Sequence, residues 1–149
     1  MSVRNTILGN LESALNDIVG DGSYELTIQS VTRQIENVGQ LERHLFPLVM
    51  IWDRDEEEKV AEDSSHIRYH LPVQLIGVVK SETEDDLLAD ANNLVATLKS
   101  FVEAGPSLGD NVLDVQWTML DGLEYYQGSV MAQVVCTLRI VYYTEIGTF

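Results

Sequence analysis

From His66 to Val79 the chain alternates with period two, so that Ile67, Tyr69, Leu71, Val73, Leu75 and Val79 fall on one side across fourteen residues. Only an extended strand places every second side chain on one face, so the segment predicts a long strand with one face to bury. Pro72 lies inside it and supplies no N–H to a ladder, which predicts either an edge position or a bulge there.

Two amphipathic helices supply the cover. Asn5 to Val19 spaces Ile7, Leu8, Leu11, Leu15 and Ile18 by threes and fours, and Gly20-Asp21-Gly22 stops the run. A second helix, Glu82 to Glu103, carries Leu87, Leu88, Ala91, Leu94, Val95, Leu98 and Val102 as its stripe and ends at Gly105-Pro106. Ser81-Glu82-Thr83-Glu84 matches a capping box, with Ser81 as the cap, and Glu82, Glu84, Asp85 and Asp86 suit the positive end of the helix dipole.

Further strands are predicted from Tyr24 to Arg33, where Val31 breaks the phase, and over the apolar run Phe46 to Trp52, whose Pro47 sits at the start. Leu113 to Met119 alternates, Asp121-Gly122 punctuates the chain, and a last strand falls within Tyr125 to Glu145. There Val130, Ala132, Val134, Cys136, Leu138 and Ile140 share one face and Gln133, Thr137 and Arg139 the other, as in a sheet covered on one side. The order is α-β-β-β-α-β-β, with no repeat and no linker. The predicted fold is α+β: a mainly antiparallel five-stranded sheet with two helices on one face, in a single domain over residues 1–149.

Charge narrows the partners. Asp plus Glu number 24 against 9 Lys plus Arg, a formal net charge of −15. A chain this acidic without a basic cluster lacks the footprint that phosphate-backbone binding requires. No apolar run reaches the roughly 18 to 20 residues of a membrane span, and the start has no apolar signal segment, so a cytosolic, non-membrane chain is expected. The single Cys136 lies in an apolar run and reads as packing.

The densest charge is Asp53 to Asp63, with seven acids (Asp53, Asp55, Glu56, Glu57, Glu58, Glu62, Asp63) and two bases. Such a run repels itself, and it is expected to be a solvated, mobile loop that gains order on a partner. A calcium loop of the D-x-[DN]-x-[DN]-G kind needs a glycine that is absent here. No phosphate loop, nucleophile elbow, zinc-binding helix or cysteine pair occurs, and His66 and His70, four apart on a strand, stand about 13 Å from each other. His44 has no neighbour in sequence with which to form a site. No catalysis, metal or cofactor is therefore expected. Trp52, Trp117, Tyr125, Tyr126, Tyr142 and Tyr143 read as packing or, alternatively, as the lining of a small-molecule pocket in a regulatory domain.

The arrangement resembles the tail terminator (tail completion) proteins of long-tailed bacteriophages. The likeness is carried by the N-terminal helix, by Gly22-Ser23-Tyr24-Glu25-Leu26-Thr27-Ile28 leading through Val31-Thr32-Arg33 to a P-x-V-x-I strand at Pro47-Leu48-Val49-Met50-Ile51, by the acidic segment after it, and by the long strand, second helix and closing hairpin. The resemblance implies a structural protein of the virion, made in the host bacterial cytoplasm. Six copies would form a ring that caps the tail tube, ends its polymerisation and joins tail to head or neck. The tail tube protein and a neck or head-tail connector protein would be its partners, with the acidic segment as a candidate contact. Six chains at −15 each give −90, and a bore of that charge lets DNA slide without sticking. A neck or head-completion connector is the related alternative. Neighbours in such a ring are expected to meet along open sheet edges or by hairpin insertion.

Overall fold

A computed structural model describes residues 2–33, 45–53, 58–62, 65–81, 83–125 and 131–145. The alternating segment is strand β4, His66–Lys80, and it organises everything else. The other elements are helix α1 (Val3–Asp17), β1 (Ser30–Thr32), β2 (Leu48–Trp52), β3 (Glu58–Glu62), helix α2 (Glu84–Glu103), β5 (Val112–Tyr125) and β6 (Met131–Glu145). The order is α-β-β-β-β-α-β-β, so the α+β class holds with six strands where the sequence predicts five.

The sheet runs β1-β2-β4-β6-β5, with β3 also paired to β4. One side of β4 pairs with β6 along its whole length, from His66 opposite Glu145 to Lys80 opposite Met131. The other side is shared: β2 takes Gln74 to Val78, and β3 takes Ile67 to His70. All these pairs are antiparallel, and only β1 and β2 run parallel. Pro72 is thus at an open position on that side, between the two partners, as its missing donor requires.

Both helices cover one face. Leu71, Val73 and Leu75 of β4 and Val134, Cys136, Leu138 and Ile140 of β6 meet Ile7, Leu11 and Leu15 of α1 and Leu87, Leu94 and Leu98 of α2 in one buried core. Gly77 lies under α2, where a Cβ would stand 2.5 Å from Leu94 Cδ2 of the helix and 3.0 Å from Val134 Cγ2 of β6. No larger residue fits without moving its neighbours.

Four local expectations change. The capping hydroxyl of α2 belongs to Thr83, which accepts from Asp86 N at 3.2 Å, while Ser81 is buried and donates to Asp90 Oδ2 at 2.6 Å. Residues 24–29 are not a strand, because Leu26 N–H donates to the buried Thr97 hydroxyl at 2.9 Å and so ties this stretch to α2. Asp121-Gly122 does not end β5. The strand absorbs the pair in a bulge between Leu120 and Gly122 and continues to Tyr125. The fourth change is β3, formed in the acidic segment expected to be a loop.

Candidate functional site

The face of the sheet away from the helices divides into two parts. At the β2 end Leu48, Met50, Ile76 and Val78 are buried with Phe46 in a second, smaller core that Trp52, Met131 and Val135 join. Lys80 Nζ lies 4.4 Å from the centre of the Phe46 ring. Cover on one face only, as the sequence predicts, therefore fails at this end, because β2 and the end of β4 carry apolar residues at successive positions.

At the β3 end no element of the described residues covers the same face. β3, β4, β6 and β5 lie side by side there, and two adjoining hollows run across them. One, of about 490 Å³, is lined by Ala61, Glu62, His66, Arg68, Leu113 and Tyr143. The other, of about 550 Å³, is lined by Val60, His70, Pro72, Met119 and Arg139 among others. The pairings Arg68 with Tyr143 and Pro72 with Arg139 show that both hollows sit on one side of the sheet and form one trough. Leu113 at 56%, Met119 at 55% and Val60 at 43% exposure place large apolar groups in water along it. Single exposed apolar residues need no explanation, but three beside one concave surface make it the candidate site of this fold.

Each hollow carries one arginine and one carboxylate beside its apolar groups, Arg68 with Glu62 in the first and Arg139 with Glu58 in the second. Arg68 and Arg139 are both exposed, and no carboxylate of the described residues lies within ion-pair distance of either. The other described bases of the sheet and its approaches are engaged. Arg4 Nη2 donates to Asp53 O at 2.6 Å and stands 3.7 Å from its carboxylate, Arg33 reaches the same carboxylate at 3.9 Å, and Lys59 meets Glu62 at 2.5 Å.

The acidic residues expected to bind a partner are scattered by the fold. Asp53 is half-buried at the end of β2, held by Arg4 and Arg33. Glu58 and Glu62 are exposed at the two ends of β3, whose five residues all face solvent. Asp55, Glu56, Glu57 and Asp63 lie outside the described residues. A strand forms despite the charge because the backbone pairs with β4 while every side chain stays hydrated, and a register shift between Lys59 and Ala61 twists the pairing. Lys59 also offsets the repulsion, and its ammonium is held above its usual pKa chiefly by the hydrogen bond to Glu62.

His66 and His70 share the trough face as the strand period requires. His66 packs edge-on to Tyr143 with ring centres 5.1 Å apart, and its Nδ1 is 2.8 Å from Ser65 Oγ. Among the described residues no three His, Cys, Asp or Glu converge as metal ligands, and no helix is long and apolar enough to cross a membrane. His44 and Tyr126 lie outside the described residues. The other described aromatic side chains of that set do not share one pocket: Trp52 belongs to the smaller core, Trp117 packs on the larger, Tyr142 is buried and stacked on Tyr69 at 5.3 Å, and Tyr143 lines the first hollow, while the Tyr125 side chain lies outside the described residues. Cys136 is buried.

The sequence places Arg139 on a polar face and Leu113 and Met119 in an alternating strand without giving any of them a role, and it does not single out Arg68. The available signal was that two lone cations fall on the polar face of adjacent strands in a strongly acidic chain. What was missing was the pairing that sets them four residues apart across one surface.

No family matches the chain's sequence, and no curated protein matches it. Among solved structures, a chain from the virion of a native gene transfer agent (GTA) particle superimposes with a TM-score of 0.61 at 10% identity, over 93% of this chain and 98% of that one. The two helices and six strands described above thus make up the fold of a chain found in a gene transfer agent virion.

Proposed function

We propose that this protein is a structural component of a phage-like virion, working as a tail terminator: a ring of six copies that caps the tail tube, ends its growth and joins the tail to the head or neck. The observation that carries the reading is the end-to-end fold match with a chain of a gene transfer agent virion, which leaves little of either chain unmatched. The open, partly apolar trough supports it, because a subunit that works by assembly needs a surface kept for a neighbour. In this reading the work is mechanical, with no reaction catalysed. Its partners are other copies of itself, the tail tube protein and a neck or connector protein, and DNA passes through without specific binding. The charge of −15 per chain fits an acidic bore.

Electron microscopy and native mass spectrometry of the purified chain across a concentration series test the reading. The expected result is a ring with an open centre that caps tail tubes when mixed with them. A protein that stays monomeric up to millimolar concentration would overturn it. A ring that binds the head portal but leaves tube growth unchecked would identify a connector instead.

A further inference from the structure

We infer that one subunit presents the outer face of α2, through Asp85 and Leu88, to the trough on the next subunit's sheet, where Arg139 and Met119 receive them. This rests on the assembly reading above and specifies its contact. The match is between single residues, an exposed acid and leucine on one surface and an exposed arginine and methionine on the other, with Glu58 also lining the hollow. Leu88 is 39% exposed on α2, although most of its helix's leucines are buried, and Asp85 lies one turn before it. Asp85 and Asp86 are exposed, and no cation of the described residues pairs with either. Arg139 stands exposed beside Met119 in a hollow of about 550 Å³, large enough to take a leucine side chain and its flanking carboxylate.

The positions of the two surfaces on the fold are compatible with a ring. Helix α2 covers one face of the sheet and the trough is on the other, so the contact is head-to-tail, and a heterologous contact closes into a ring or continues as a filament. Edge-to-edge pairing is the less suitable alternative. The long free edge belongs to β5, whose pairing with β6 is interrupted by three register shifts, and bulges of this kind twist an edge away from strand addition.

Cysteine pairing tests the contact directly, with native Cys136 buried and out of reach. Leu88→Cys and Met119→Cys are prepared separately, reduced, mixed and oxidised. Disulfide-linked dimers are expected in the mixture, no linkage in either variant alone, and a ladder ending at the ring number for the double variant. Linkage of Leu88→Cys with itself, or no linkage in the mixture while the unmodified protein still forms rings, would overturn the contact and leave the assembly reading standing. An unmodified protein that never assembles would overturn both. Charge exchange gives a second readout. Arg139→Asp and Asp85→Arg should each raise the concentration for half-assembly by about tenfold or more, and the double exchange should restore it. Equal assembly of all four proteins in low salt would also overturn the contact, since exposed charge pairs act most strongly there.

Discussion

The two ends of β4 are one strand under two regimes. From Leu75 to Val79 every residue is buried, with α2 on one face and the smaller core on the other. From His66 to Pro72 only Ile67 and Leu71 are buried, and Arg68 stands in water. The difference teaches that a single alternating segment can anchor a core and present a surface at once, because burial is set by what lies above each end and not by the strand itself.

Truncation should separate the two ends most clearly. Leu75→Ala removes a fully buried side chain at the closed end and should cost about 2 to 5 kcal/mol by urea denaturation. Met119→Ala at the open end should stay within about 0.5 kcal/mol when measured on the dilute, unassembled subunit. Equal losses would erase the comparison.

Gly77→Ala tests how tightly the closed end is packed. Its new methyl would meet Leu94, itself fully buried, and a destabilisation of about 1 to 3 kcal/mol is expected. Combined with Leu94→Ala, the loss should be smaller than the sum of the two single losses, because one change makes room for the other.

Thr97→Val keeps shape but removes the hydroxyl that accepts from Leu26 N–H and donates to a main-chain carbonyl, which sharpens the role of the helix layer. A loss of about 1 to 3 kcal/mol is expected from the stranded amide. Thr97→Ser should retain most of the stability, and calorimetry on the three proteins checks the order.

The smallest effect lies far from both ends. The Ser23 hydroxyl and N–H both donate to Asp21 Oδ1 and hold its carboxyl below its ordinary value of 3.8. A depressed folded value means the contribution is present above the unfolded value and is lost as pH falls through the folded one. Asp21→Asn should therefore differ from the parent protein at neutral pH and converge with it in acid, measured by thermal midpoints across that range.

Local pattern was enough to place α1, α2, β4 and β6, which carry their own periods, and β2, a short apolar run that starts just after Pro47. Asp121-Gly122 read as a turn because those residues favour turns, yet a bulge accommodates them in β5 once β6 holds both flanks. Ser81 and Thr83 both offer a capping hydroxyl, and it was Asp90, about two turns into the folded helix, that engaged the first and left the second as cap.

By itself the sequence determined the α+β class, the helix-facing core and the acidic character, because periodicity and composition are properties of the chain. Tertiary structure alone decided that an acidic stretch becomes β3 and that Arg68, Arg139, Met119 and Leu113 share one trough. Strand β3 exists because β4 offered an unpaired edge from Ile67 to His70, and the trough exists because β3 and β5 flank the same ends of β4 and β6. Both depend on pairing between segments distant in sequence, which no local pattern encodes.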